Sequence, residues 1–195
     1  MRPTLLIVAA FLLLGNGYAA QPSQAVSANV KTLLQGHFDN REQVDKAPAG
    51  ADPPIPHVSV TIEPTPQADW MLWHVRIDTD AETSYEQTWA FETRVEHDGS
   101  GALVPYYQLK QTATPAAATF DPKDWLSLEA CSLRGDFSKG TITGMSEGEP
   151  CVAVSMSVGA RRALLPVGIE REGEWLHLDM NLRSVRTRID AKRVP

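Results

Sequence analysis

Tyr85-Glu86-Gln87-Thr88-Trp89-Ala90-Phe91-Glu92-Thr93-Arg94-Val95-Glu96 is the stretch that decides the fold. Its odd positions read Tyr85, Gln87, Trp89, Phe91, Thr93 and Val95, and its even positions Glu86, Thr88, Ala90, Glu92, Arg94 and Glu96. A strand turns successive side chains to opposite faces, so this alternation buries an aromatic face and leaves a charged one in water. An antiparallel sheet with one solvated side follows.

The same period extends outward in both directions. Upstream, His57 to Glu63 places Val58, Val60 and Ile62 on one face, and Trp70 to Asp78 does so with Met71, Trp73, Val75 and Ile77. Downstream, His97-Asp98-Gly99-Ser100-Gly101 is a turn, and Ala102 to Lys110 returns as a strand that Pro105 marks as an edge or a bulge. Short strands then follow at Cys131 to Phe137, Thr141 to Ser146, Cys151 to Val158, Arg162 to Glu170 and Trp175 to Leu182, separated by glycine- and charge-rich turns. A last one from Arg183 to Asp190 brings the count to about ten. So many strands in one twisted sheet close or split into two layers. The expected fold is mainly β: an antiparallel, calyx-like (lipocalin-like) barrel of about ten strands with a short N-terminal helix, a two-sheet sandwich being the alternative.

Helical signals are few. Val30, Leu33 and Leu34 recur at helical spacing within Gln21 to Gly36, and Gly36 sits where a left-handed C-terminal cap belongs. A second short turn begins at Asn40, where N-x-x-Q reads as a capping box. Pro48 to Pro56 is an irregular proline-rich connection, and Asp121-Pro122 starts another helical turn running toward Leu128.

The chain opens on Met1-Arg2-Pro3-Thr4, an apolar run from Leu5 to Leu14, and Gly17-Tyr18-Ala19. That order reads as a secretory signal peptide over residues 1–19, leaving a single domain over 20–195 and a periplasmic or secreted protein. Removing Arg2 from the 18 basic residues leaves 17 against 24 acidic ones, a balance of minus seven. An acidic exported domain is a poor binder of nucleic acid or anionic membrane. The hydrophobic fraction of 43% suits a globular core, and no second apolar run is long enough for a transmembrane segment. In an oxidising compartment Cys131 and Cys151 are expected to pair as a disulfide. If each cysteine started a strand on either side of a third, however, their Cα atoms would lie roughly 9 to 10 Å apart, beyond the reach of about 7 Å that a bridge allows. At least one cysteine must then lie beyond a strand's end, or the sheet must curl tightly.

No motif for nucleophilic, nucleotide-dependent or zinc-dependent catalysis is present, and the histidines His37, His57, His74, His97 and His177 never fall at metal-ligand spacing within one element. His74 and His177 share faces with charged neighbours that could meet as an acid/base cluster or simply form a solvated outer surface. The basic residues Arg183, Arg186, Arg188, Lys192 and Arg193 either bind an anion or pair with neighbouring carboxylates. Tyr85, Gln87 and Trp89, with Trp73 on the adjacent strand, are the candidate ligand-binding residues. Ring faces with a few directed polar groups suit a small-molecule pocket, and a packed aromatic core with Gln87 bonded to backbone is the other reading. No catalytic and no metal-binding residue is assigned.

Several short segments taken together resemble the T-type phycobiliprotein chromophore lyases, the CpcT/CpeT family. Leu34-Gln35-Gly36-His37-Phe38-Asp39-Asn40-Arg41-Glu42-Gln43 is similar to that family's opening L-x-G-x-[FW]-x-N-x-x-Q. Pro56 to Val60, Trp70 to Trp73 and Tyr85-Glu86-Gln87 look like its first strands, and Ala130 to Leu133 and Glu149-Pro150-Cys151 like its two cysteine segments. The resemblance spans about Leu33 to Leu182 and implies a calyx-like barrel that binds a linear tetrapyrrole. The chain departs from the pattern at Glu86, where the family has a basic residue, and at Asp179-Met180-Asn181, which replaces D-R-G; no W-G follows near the C-terminus. The expectation is therefore an exported calyx for a tetrapyrrole or another small, partly apolar ligand, with no resident cofactor and without lyase activity. A bilin lyase acting on a protein cysteine and a non-catalytic envelope interaction protein are the alternatives.

Overall fold

The computed structural model describes residues 29–51, 53–78, 83–95, 100–108, 114–137, 142–146, 150–151, 165–182 and 185–195. The segment 1–19 expected as a signal peptide, the expected turn at His97 and most of the expected strand Cys151 to Val158 lie outside them. Residues 29–34 form helix α1, and Arg41–Lys46 form α2. The strands are β1 (Gly36–Asp39), β2 (His57–Pro64), β3 (Trp70–Asp78), β4 (Ser84–Val95), β5 (Ser100–Tyr107), β6 (Leu126–Ser127), β7 (Leu133–Asp136), β8 (Ile142–Met145), β9 (Pro166–Glu172), β10 (Trp175–Leu182) and β11 (Val185–Val194). Among the described residues no helix is long and apolar enough to cross a membrane.

Every pairing is antiparallel, and the order β4-β3-β2-β1-β11-β10-β9-β8-β7-β5 is closed by β4 against β5. Ten strands thus form a barrel, with the two-residue β6 appended to β5. Closure leaves none of the ten with an unpaired side, which removes the hazard of exposed sheet edges. The alternating stretches read from the sequence supply β2, β3, β4 and β10 almost residue for residue.

The interior holds one apolar cluster. Val58, Val60 and Ile62 of β2, Met71, Trp73, Val75 and Ile77 of β3, Trp89 and Phe91 of β4, and Leu176, Leu178 and Met180 of β10 all point into it. Helix α1 adds Val30 and Leu34 to the same cluster and so plugs one end of the barrel. Two arginines hold it there. Arg171 Nε donates to Leu33 O at 3.0 Å, and Arg193 Nη2 donates to Leu33 O at 3.2 Å and to Gln35 O at 2.6 Å. They satisfy carbonyls that a helix end leaves without partners. Both guanidiniums also lie over the Phe38 ring, 5.2 and 5.4 Å from its centroid. A second, smaller cluster of Leu72, Ala90, Phe120 and Trp125 packs residues 117–125 onto the outside of β3 and β4.

Several local expectations are corrected by this packing. Gly36 does not cap α1 but opens β1, with φ of 143°, a conformation that L side chains rarely adopt. Pro105 is not in a bulge but sits at a local edge of the ladder. It faces Phe91 of β4, and on its other side it falls between β7, which ends opposite Leu103, and β6, which begins opposite Tyr106, so no ladder bond requires its missing N–H. Asp121 caps as expected, its Oδ1 accepting from Lys123 N–H at 3.0 Å, but only a single 3-10 turn follows, Pro122–Asp124.

Neither cysteine starts a strand. Cys131 ends a 3-10 turn, Glu129–Cys131, residues 150 and 151 are helical, and β8 pairs directly with β9. Free of the ladder, the two approach to a Cα separation of 4.5 Å and form the disulfide, with Cys131 and Cys151 both buried. The bridge closes a loop of 20 residues in sequence separation, worth about 3 kcal/mol by the entropy it removes from the unfolded chain. Replacing both cysteines by serine should lower the free energy of unfolding measured in urea by about that amount, and a double variant as stable as the parent would show the bridge to be dispensable.

Candidate functional site

The four residues singled out from the sequence share the interior face of two adjacent strands. Across the β3–β4 pair Trp73 stands opposite Trp89, Val75 opposite Gln87 and Ile77 opposite Tyr85. The row is graded. Trp73 and Trp89 are wholly buried, Gln87 is half-buried, and Tyr85 is 41% exposed at the end of the barrel away from α1. The three longest connections, 40–56, 108–132 and 146–165, lie at that end.

Neighbouring rings complete the surface. Phe91 lies 4.6 Å from Trp73 between centroids, and Tyr107 of β5 lies 5.6 Å from Trp89. Tyr107 was not singled out by sequence reasoning, because its strand is interrupted by Pro105 and lacks clean alternation. Gln87 Nε2 donates to Thr88 O at 3.1 Å, the backbone bond expected of a packed glutamine. Trp73 Nε1, in contrast, is buried and has no hydrogen-bond partner among the described residues. Buried donors are almost always paired, so an unpaired indole N–H on an interior face is a position for an acceptor brought from outside the chain.

Around His74 and His177 the outer face is polar, as the solvated-surface reading requires. His74 Nδ1 pairs with Thr88 Oγ1 at 2.9 Å across β3 and β4, while His177 Nδ1 pairs with Asp190 Oδ1 at 2.6 Å across β10 and β11, so the two rows do not meet. The basic C-terminal residues pair with neighbours: Arg186 with Asp179, Arg188 with Glu170 and Asp190, and Lys192 with Glu42. His57 bridges two carboxylates, its Nε2 2.7 Å from Asp39 Oδ2 and its Nδ1 3.0 Å from Asp78 Oδ2. Burial opposes its charge, but the two hydrogen-bonded carboxylates outweigh burial and raise its pKa. The bond from His57, aided by Arg76 and Ser84, holds Asp78 down at about 2. This network clamps β1, β2 and β3 together at the loop end. Among the described residues no cluster of His, Cys, Asp and Glu could hold a metal ion.

The N-x-x-Q segment is not a capping box. Asn40 makes no side-chain cap bond to α2. It is fully buried, accepting from Val58 N–H at 2.7 Å and donating to Pro56 O at 3.0 Å and to Gln43 Oε1 at 3.1 Å. Gln43 in turn donates to Arg188 O at 3.0 Å and accepts from Asp190 N–H at 3.1 Å. The pair ties α2 to β2 on one side and β11 on the other.

That tie creates a cleft of about 500 Å³ on the outer face, between α2 with the proline-rich connection and the β10–β11 hairpin. Trp175 and His177, Gln43 and Asp190, and Pro48 and Ile55 line it. Sequence reasoning placed His177 on a polar face without linking it to Trp175, two residues earlier on the same face, or to the distant α2. No protein-family model, curated protein or solved structure matches the chain.

Proposed function

We propose that this protein is an exported carrier that takes a small, partly apolar ligand into the calyx from the end opposite α1. The observation that carries the reading is the unpartnered Trp73 Nε1, buried beside a row that rises through Trp89 and Gln87 to the exposed Tyr85. Apolar ring faces would hold the body of the ligand, and the indole N–H would pair with an acceptor on it. Export is supported by the disulfide, which persists in oxidising compartments. The resemblance to the chromophore lyases favours a linear tetrapyrrole as the first ligand to try. Binding without transfer is the better fit, because the chain departs from the lyase pattern at Glu86 and at Asp179-Met180-Asn181.

The test has two parts. Native mass spectrometry of protein purified from its own host should show a retained small molecule that is released on denaturation. Titration with biliverdin should quench tryptophan fluorescence saturably, and Trp73→Phe, which keeps the ring but removes the donor, should weaken binding about tenfold. Absence of both a retained mass and saturable quenching would remove the proposal. Quenching that Trp73→Phe and Gln87→Leu leave unchanged would place the pigment elsewhere and overturn the interior site.

A further inference from the structure

We propose that the outer cleft between α2 and the β10–β11 hairpin is a second binding site, for a neutral glycan of two or more sugar units. It lies on the opposite side of the sheet from the calyx, so it stands whether or not the calyx is occupied.

Three features of the cleft select this chemistry. The first is an aromatic surface. Trp175 and His177 lie two apart on β10 and therefore on one face, with ring planes within 10° of each other and centroids 6.3 Å apart. Pro48 and Ile55 extend that apolar surface on the α2 side. Pyranose rings carry C–H groups on their faces and stack on indole through them, while their hydroxyls project sideways.

The second feature is a set of polar atoms already fixed in position. Asp190 is held by His177 Nδ1 at 2.6 Å, by Arg188 Nε at 3.2 Å and by Gln43 Nε2 at 3.4 Å. With Nδ1 committed to a carboxylate, Nε2 is the ring nitrogen left for a ligand, and that atom has no hydrogen-bond partner among the described residues. A hydroxyl can pair with Nε2 as donor or as acceptor. Groups held before binding lose little freedom when the ligand arrives.

Thirdly, the rim is charge-neutralised from within. Lys46 pairs with Glu42 at 2.6 Å, and Arg188 with Glu170 at 2.7 Å as well as with Asp190. An anion or a cation would have to displace an ion-pair partner already in place, whereas an uncharged polyol has only to move the exposed Lys192 ammonium, which lies over the Trp175 ring 5.6 Å from its centroid. Length follows from the neighbouring depression of about 240 Å³, which shares His177 and continues past Asp179 to Met145. Two depressions meeting at one residue make a groove, which suits an oligomer better than a single ring.

The experiment is calorimetric and fluorescence titration of the full protein with cellotetraose, maltotetraose and chitotetraose in turn. At least one should bind saturably at sub-millimolar to millimolar concentration. Trp175→Ala should weaken that binding about tenfold and Trp175→Phe only a few fold, while Tyr85→Ala, at the mouth of the calyx, should leave it unchanged. If Trp175→Ala does not fold, His177→Phe keeps a ring in place but removes Nε2, and a loss of about fivefold is expected. No saturable binding of any of the three, or binding untouched by the Trp175 and His177 changes, would overturn the site. Loss of glycan binding in Tyr85→Ala would move the sugar into the calyx and equally refute the outer cleft.

Discussion

Trp89→Ala is expected to lower the free energy of unfolding by about 4 kcal/mol, the largest effect of any single truncation in the barrel. Trp89 is wholly buried, stands opposite Trp73 across the β3–β4 pair, and has Tyr107 5.6 Å away on the adjoining strand. Cutting it to a methyl group removes the transfer energy of an indole and leaves a void that two rigid strands cannot close. Urea unfolding should show a lower midpoint at an unchanged slope, which marks a change of stability and not of compactness. A loss below about 1 kcal/mol would mean that the ring is loosely surrounded. This result also dictates how the calyx is probed. Trp73 and Trp89 are both wholly buried, so Ala variants there report on stability first, and ligand contacts are better read from Gln87→Leu, Tyr85→Ala and Trp73→Phe, which keeps an aromatic ring.

Gly135→Ala should cost about 3 kcal/mol or more and lower the melting temperature by on the order of 10 °C. Gly101, Gly135 and Gly144 lie side by side across β5, β7 and β8. A Cβ at 135 would collide with the Thr143 carbonyl oxygen and lie 2.7 Å from its carbonyl carbon, and both are backbone atoms of the paired strand. No rotamer relieves such a clash, so β7 and β8 must separate. Gly144→Ala is the internal contrast, because its Cβ would meet side chains of Ile169 and Leu133 at 3.3 Å, which can give by a few tenths of an ångström. Equal melting temperatures for the two variants would contradict the argument. The glycine row lets the short strands approach closely where the barrel curves between β5 and β9, a use of glycine common at barrel corners.

The long alternating strands were legible because one of their faces is buried and the other is wet, and that contrast is written in every second residue. β7 and β8 were legible only as to place. At four residues each, with glycine at Gly135 and Gly144, they carry too little alternation to set their ends. β1 was read as the end of a helix. Its glycine and its four-residue length hide the fact that Phe38 is a core residue under two arginines that come from more than 130 positions further along the chain. Asn40 and Gln43 match a capping box by spacing alone, and local spacing cannot reveal that their partners are Val58, Pro56, Arg188 and Asp190.

The candidate sites divide in the same way. Placing Trp73, Tyr85, Gln87 and Trp89 on one inner face required only the period of two and the adjacency of consecutive strands. The grade from buried Trp89 to exposed Tyr85, and the unpaired Nε1 of Trp73, depend on which barrel end α1 plugs. The outer cleft depends on α2 reaching β11, a contact between segments some 145 residues apart.

By itself the sequence determined an acidic chain with an antiparallel meander of about ten strands, an aromatic inner row and two cysteines able to pair, because each of these is a property of neighbours along the chain or of composition. Closure of β4 onto β5, the bridging of two cysteines that stand outside the strands, the plugging of one end by α1 and the opening of a cleft under α2 were decided by tertiary structure alone. Each of these rests on hydrogen bonds and packing between residues far apart in sequence, and the pairing energy of such contacts leaves no periodic trace in either partner's own segment.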